Sequence, residues 1–219
     1  MPTPSELSSA LVDLLGLEHP PIAITFEEAV PTSNRFDQPP VSASCVFWML
    51  AGEQTLTTVP NDHNCSVGRY THGLAAAGDI LDKEDVAALL DVGWVTMEAF
   101  AGVAQLSHRP AAISYGPLSE AGEVPDVALL RVNPRQMMTI ADAVAVEFSG
   151  KPQCQILPRA AENGVIAASM GCALSRARTG MSDEELTCAV PGGRLTELVD
   201  SLKAVRRADD AITAYAVSR

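Results

Sequence analysis

Leucines and valines recur at helical spacing from Ser5 to Leu17, with Gly16 near the end, and this pattern predicts an amphipathic helix. Residues 21–26 form a short apolar, β-branched run bounded by prolines and acids and predict a strand. Pro, Ser, Asn and Asp over 32–40 predict a loop. Residues 42–52 are apolar on every side, with Cys45, Val46, Phe47, Trp48, Met49 and Leu50, and predict a buried helix. A strand over 55–59 closes at Pro60, and the polar loop 61–64 caps a predicted helix over 65–77. Residues 83–90 and 95–106 predict two further helices.

The second half opens on a strand over 111–115 that meets a turn at Gly116-Pro117. Residues 127–132 read as a central strand. Pro134 falls at the first position of a helix over 135–146, where its missing N–H is harmless. Strands follow at 164–170 and 186–190, the latter stopped by Pro191-Gly192-Gly193, and 194–217 is the clearest helix of the chain. Strands interleaved with helices predict an α/β or α+β fold. We expect a single globular domain over 1–219, with a mixed sheet and flanking helices.

The 219 residues fit one large domain or two small ones. With 47% hydrophobic and 19% charged residues, a sizeable core can form and wholesale disorder is excluded. No apolar run approaches the roughly 18 residues of a membrane-spanning helix. The opening Met1-Pro2-Thr3-Pro4 lacks the basic-then-apolar order of a secretory signal, so a soluble, cytoplasmic protein is expected. The net charge of −12 leaves no basic run to neutralise phosphates, which argues against nucleic acid and against anionic membranes. Small molecules and protein partners remain, a homo-oligomer among them, and a local arginine can still draw an anion into a cleft.

Cysteine changes the picture most. The five are Cys45, Cys65, Cys154, Cys172 and Cys188, an odd number that suits reduced thiols rather than a disulfide framework. Two segments share a spacing: Cys65-Ser66-Val67-Gly68-Arg69 leads to Gly73, and Cys172-Ala173-Leu174-Ser175-Arg176 leads to Gly180. Both read Cys-x-x-small-Arg-x-x-x-Gly, which raises the reading of two pseudo-equivalent halves, about 1–108 and 109–219. Each Cys follows a predicted strand and opens a predicted helix, where free N–H groups favour negative charge and an arginine one turn on favours a thiolate.

Several thiolates in one pocket repel one another, and a metal or an iron–sulfur cluster relieves that. The gaps of 20, 89, 18 and 16 residues contain no close pair, against a zinc ribbon or a ferredoxin-type run. A site gathered from dispersed cysteines stays open. Cys188 reads as core within a strand, Cys154 as a candidate fourth ligand, and Phe47 and Trp48 as core. His63 is a candidate ligand or proton shuttle, although a histidine in such a loop is expected in solvent. Tyr115 can donate a hydrogen bond in a pocket, although strand tyrosines usually pack. Met137, Met138 and Met170 read as core. The P-loop, the dinucleotide fingerprint, Gly-x-Ser-x-Gly and His-Glu-x-x-His are all absent from the sequence.

An ordered set of features resembles an uncharacterised bacterial and archaeal family, DUF169. They are Pro21-Ile22-Ala23-Ile24, Cys45 with Phe47-Trp48, Cys65 with Gly68 and Gly73, and Tyr115-Gly116-Pro117-Leu118. They continue with Pro125-Asp126-Val127, Pro134, Gln136-Met137, Gly171-Cys172 with Arg176, Thr179-Gly180, Asp183-Glu184-Glu185 and Pro191-Gly192. The resemblance implies a single-domain fold and recurrent cysteines at Cys45, Cys65 and Cys172. It implies no activity.

The residues themselves suggest an iron–sulfur protein, a four-iron cluster being favoured, with Cys45, Cys65 and Cys172 as ligands and Cys154 as the candidate fourth. Zinc, or no metal, is the alternative. With three ligands, an open iron can act as a Lewis acid, and Arg69 and Arg176 can grip a small anionic substrate in lyase or sulfur-transfer chemistry. Two other readings stand beside it. One is a metal-free thiol enzyme, with Cys172 activated by Arg176 and His63 as base. The other is a non-catalytic sensor or scaffold.

Overall fold

Thr3 starts the first helix by a reciprocal cap: its hydroxyl accepts from the Glu6 N–H, and the Glu6 carboxylate accepts from the Thr3 N–H. The helix, α1 (Pro4–Leu15), ends at Gly16 in the left-handed region at φ 65°. The computed structural model describes residues 2–218.

Strand β1 (Ile22–Glu27) follows, then the short α2 (Val46–Leu50), β2 (Leu56–Thr58) and α3 (Ser66–Thr71). Helices α4 (Ala77–Ile80), α5 (Glu84–Asp91) and α6 (Met97–Ala101) lead to β3 (Ala112–Pro117). The rest runs β4 (Val127–Val132), α7 (Pro134–Ala143), β5 (Val146–Ser149), α8 (Ile156–Asn163), β6 (Ile166–Ser169), α9 (Ala173–Thr179), β7 (Leu186–Pro191) and α10 (Leu195–Val217).

One mixed sheet has the order β2-β3-β1-β4-β7-β6-β5. All neighbours are antiparallel except β5 and β6. In β4, Val127 and Leu129 point to one face and Ala128, Leu130 and Val132 to the other, so both faces are buried. Leucines of α1 and α10 and Met137 and Ile140 of α7 cover the second face. The first face is covered by α2 to α6 and α8, and the cysteine chemistry lies on that side.

The sheet contains the same pattern twice. The first residue of β1, Ile22, pairs with Pro117 at the end of β3, and the first residue of β4, Val127, pairs with Pro191 at the end of β7. Each proline opens a single 3-10 turn. Strand β2 joins β3 through Leu56 opposite Tyr115, two residues before Pro117, and β6 joins β7 through Ala167 opposite Ala189, two residues before Pro191. The two copies meet where β1 and β4 pair antiparallel about Ala23 and Ala128. The first instance of this pairing pattern ends at Pro117 and the second begins at Val127, so β3 belongs with β1 and β2 in the pattern.

The α/β or α+β expectation holds. Gly116-Pro117 extends β3 rather than turning it, and the helices expected over 42–52, 65–77 and 95–106 contract to one or two turns. Sequence patterning gave no signal for β5, an edge strand with mixed exposure, or for α8, which contains Pro158. Met138 and Met170 are exposed, not core; only Met137 of the three is buried.

Candidate functional site

Cys45 immediately precedes α2, whose Phe47 and Trp48 are fully buried and hold the start of the helix against the sheet. Cys65 is the N-cap of α3, and its Sγ accepts from the Gly68 N–H at 3.4 Å. Glycine is required at 68, since a Cβ there would lie 2.2 Å from Ser44 Oγ. Cys172 is the N-cap of α9 in the same way, its Sγ accepting from the Ser175 N–H at 3.4 Å. Cys154 lies in the 3-10 turn that leads into α8, where Ile156, Leu157 and Ala160 are fully buried.

These four cysteines line one cavity of about 30 Å³, room for about two waters. None is disulfide-bonded. Cys188 stands apart, its side chain in the core on the opposite face of the sheet, where burial pushes its thiol up to about 12. Burial also pushes the Cys45 thiol up to about 11, the neighbouring Cys172 and Cys65 adding to the rise and the Ser175 hydroxyl opposing it. Burial raises Cys65, against the Gly68 N–H and the charge of Arg178. Cys154 is raised well above the ordinary thiol range by burial and by the nearness of Cys65, Cys45 and Cys172. Without a cation, Cys45, Cys65 and Cys154 are therefore protonated thiols at neutral pH.

The polar wall of the cavity centres on Ser175. Its hydroxyl lies 3.2 Å from Cys45 Sγ and accepts from Gln153 Nε2 at 2.5 Å. Gln153 Oε1 is buried with no hydrogen-bond partner. Arg178 also lines the cavity and donates to the Ser42 carbonyl at 3.0 Å. Trp94 closes one side, with Lys151 Nζ 4.6 Å from its ring centroid. No sequence signal pointed to Gln153, Arg178 or Trp94 as part of a site, and Ser175 stood out there as the small residue of the repeated spacing.

The other residues singled out from the sequence lie elsewhere. Arg176 donates to the carbonyls of Met170, Ser182 and Glu185, packing its guanidinium beneath Gly171. Arg69 does not line the cavity, and its Nε is buried without a partner. His63 is not in solvent: at 2% exposure it bridges Ser44 Oγ and Thr58 Oγ1, each at 2.9 Å, because its loop folds back over β2. Through Ser44 it supports the cavity wall from behind. Burial, with His72 and Arg69 nearby, holds its pKa well below the usual range. Tyr115 is buried in β3 and stacks on Phe47 at 5.7 Å, outside the cavity lining. His72 carried no sequence signal, yet it is fully buried with neither ring nitrogen hydrogen-bonded, and burial pushes its pKa down to about 4.

Among the described residues, no three His, Cys, Asp or Glu side chains form a group that could hold a metal ion as they stand. No helix among the described residues is long and apolar enough to cross a membrane.

The chain matches the family DUF169, described as "Uncharacterised ArCR", over residues 10–201, and it belongs to that family. No curated protein and no solved structure matches it.

Proposed function

We propose that this DUF169 protein binds an iron–sulfur cluster in the thiol-lined cavity, with Cys45, Cys65 and Cys172 as ligands and Cys154 within the same wall. One observation carries the reading: four cysteines, from Cys45 to Cys172 across most of the chain, line a single cavity on one face of the sheet. The donor chemistry fits. No carboxylate or imidazole lines the cavity, and an all-sulfur set selects soft metals and iron–sulfur centres over hard cations. Backbone N–H groups already point at two of the sulfurs, and such hydrogen bonds set the potential of a cluster.

A four-iron cube is larger than the present void, so loading widens the gap between the sulfur-bearing turns. It also removes protons from thiols that burial keeps protonated, so loading is favoured by rising pH. A bound cluster supplies electron storage or, where an iron is left open, Lewis-acid chemistry. A small anion entering here meets Arg178, half-buried beside Cys65. Arg176, expected in that role, is committed to three carbonyls.

The test is anaerobic purification from iron-replete cells, reconstitution with ferrous iron and sulfide, and assay of iron, acid-labile sulfide and visible absorption. We expect a brown protein containing both. A colourless chain, or one holding zinc alone after reconstitution, overturns the reading.

A further inference from the structure

The strand register shows two copies of one unit, and the cavity can be read against it. Cys45 lies 11 residues before Leu56 and Cys154 lies 13 before Ala167, where Leu56 and Ala167 are the matched positions of β2 and β6. Each sits at the start of a helical turn whose next core residues are fully buried: Phe47, Trp48 and Ala51 after Cys45, and Ile156, Leu157 and Ala160 after Cys154. Cys65 and Cys172 are matched too, as N-caps with the same N–H···S bond, each followed eight residues on by a glycine of positive φ.

The correspondence extends to the rest of the wall. Ala43 and Ser44 precede Cys45 as Pro152 and Gln153 precede Cys154, and all four line the cavity. Val67 and Gly68 follow Cys65 as Leu174 and Ser175 follow Cys172, and these line it as well. Twelve of the fourteen lining residues are thus six matched pairs; only Trp94 and Arg178 fall outside. A cavity lined by equivalent residues of both halves lies on the axis that relates them. The halves also touch across it, Ser175 of the second reaching Cys45 of the first.

We infer that the cavity is a pseudo-two-fold site made by internal duplication, in which each half contributes one pair of thiolates, Cys45 with Cys65 and Cys154 with Cys172, to one four-ligand centre. This rests on the cluster reading and sharpens it: Cys154 is the full equivalent of Cys45. The four protein thiolates leave no iron open for a substrate, which removes the lyase chemistry that a three-cysteine site would permit.

The test uses the full chain, reconstituted anaerobically, as wild type, Cys45→Ala, Cys154→Ala, Cys65→Ser, Cys172→Ser and a Cys188→Ala control. Iron and sulfide per chain and the electron paramagnetic resonance spectrum of the reduced protein are read, with and without cyanide, a small ligand that binds an open iron. We expect Cys45→Ala and Cys154→Ala to lose iron to the same extent within about twofold, Cys65→Ser and Cys172→Ser to match each other likewise, and Cys188→Ala to load fully. The wild-type spectrum should not respond to cyanide. A Cys154→Ala chain that loads fully with an unchanged spectrum overturns the inference while leaving the cluster reading intact. So does a wild-type spectrum shifted by cyanide, a result that needs no variant to fold. Wild type without iron and sulfide overturns both.

Discussion

The Ser175 hydroxyl lies 3.2 Å from the sulfur of Cys45, across 130 positions of sequence, and joins the start of α9 to the start of α2. It also accepts from Gln153, so one small side chain satisfies groups from both halves. Ser175→Ala leaves Gln153 Nε2 buried without its acceptor. We expect a loss of about 1–3 kcal/mol in urea unfolding of the metal-free protein. Adding Gln153→Leu removes the stranded donor and should recover part of that loss; a double variant less stable than Ser175→Ala contradicts the assignment.

The thiols should differ in reactivity. Cys45, Cys154 and Cys188 are buried, whereas Cys65 and Cys172 are half-buried. A thiol at about 11, as in Cys45, is thiolate in on the order of one molecule in a thousand at pH 8. Iodoacetamide labelling of metal-free native protein, followed by mass spectrometry, should mark Cys65 and Cys172 first and the other three only on unfolding.

Two buried histidines make folding pH-dependent. His72 is held at about 4 and His63 well below its usual range, both mainly by burial. Between those folded values and the unfolded value near 6.5, the unfolded chain binds protons that the folded chain refuses, so stability rises with pH there and falls on acidification. The stabilisation is complete above about pH 6.5. His72 alone contributes about 3 kcal/mol to the loss as pH falls from 6.5 to 4. Urea midpoints across this range should drop with acid, and His72→Phe should flatten the slope.

Two glycines are set by close approach. A Cβ at Gly192 would lie 1.8 Å from the Pro125 carbonyl oxygen, a backbone atom that cannot step aside, and one at Gly68 would meet Ser44 Oγ at 2.2 Å. Gly192→Ala and Gly68→Ala should each cost about 2 kcal/mol or more. Gly122→Ala, with nothing within 4 Å, should change stability by less than about 0.5 kcal/mol. Thermal unfolding of the three variants checks the order.

Much of the strand framework was legible because its signal is local. Among the described residues, six of the seven strands coincide with short apolar runs, and prolines or glycines mark several of their ends, as at Pro191. Strand β5 escaped because an edge strand with exposed positions lacks such a run. Helix α8 escaped because Pro158 reads as a breaker, although near a helix start its missing N–H removes no helical bond. The repeated Cys-x-x-small-Arg-x-x-x-Gly spacing was also visible. Its physical content was not: the residue three after each Cys supplies the N–H to sulfur, while Arg176 turns away to carbonyls of its own half.

By itself the sequence determined where most of the strands lie, the charge of −12, and the spacing that two stretches share, since each is read directly along the chain. Only the tertiary structure decided that Cys154 joins the other three while Cys188 faces the opposite core, and that Arg178 rather than Arg176 lines their cavity. Alternate residues of a strand point to opposite faces, and a guanidinium swings through several ångströms on its flexible stem. Which face and which partner each side chain meets is therefore settled by strand order and packing between distant segments, quantities that no local window contains.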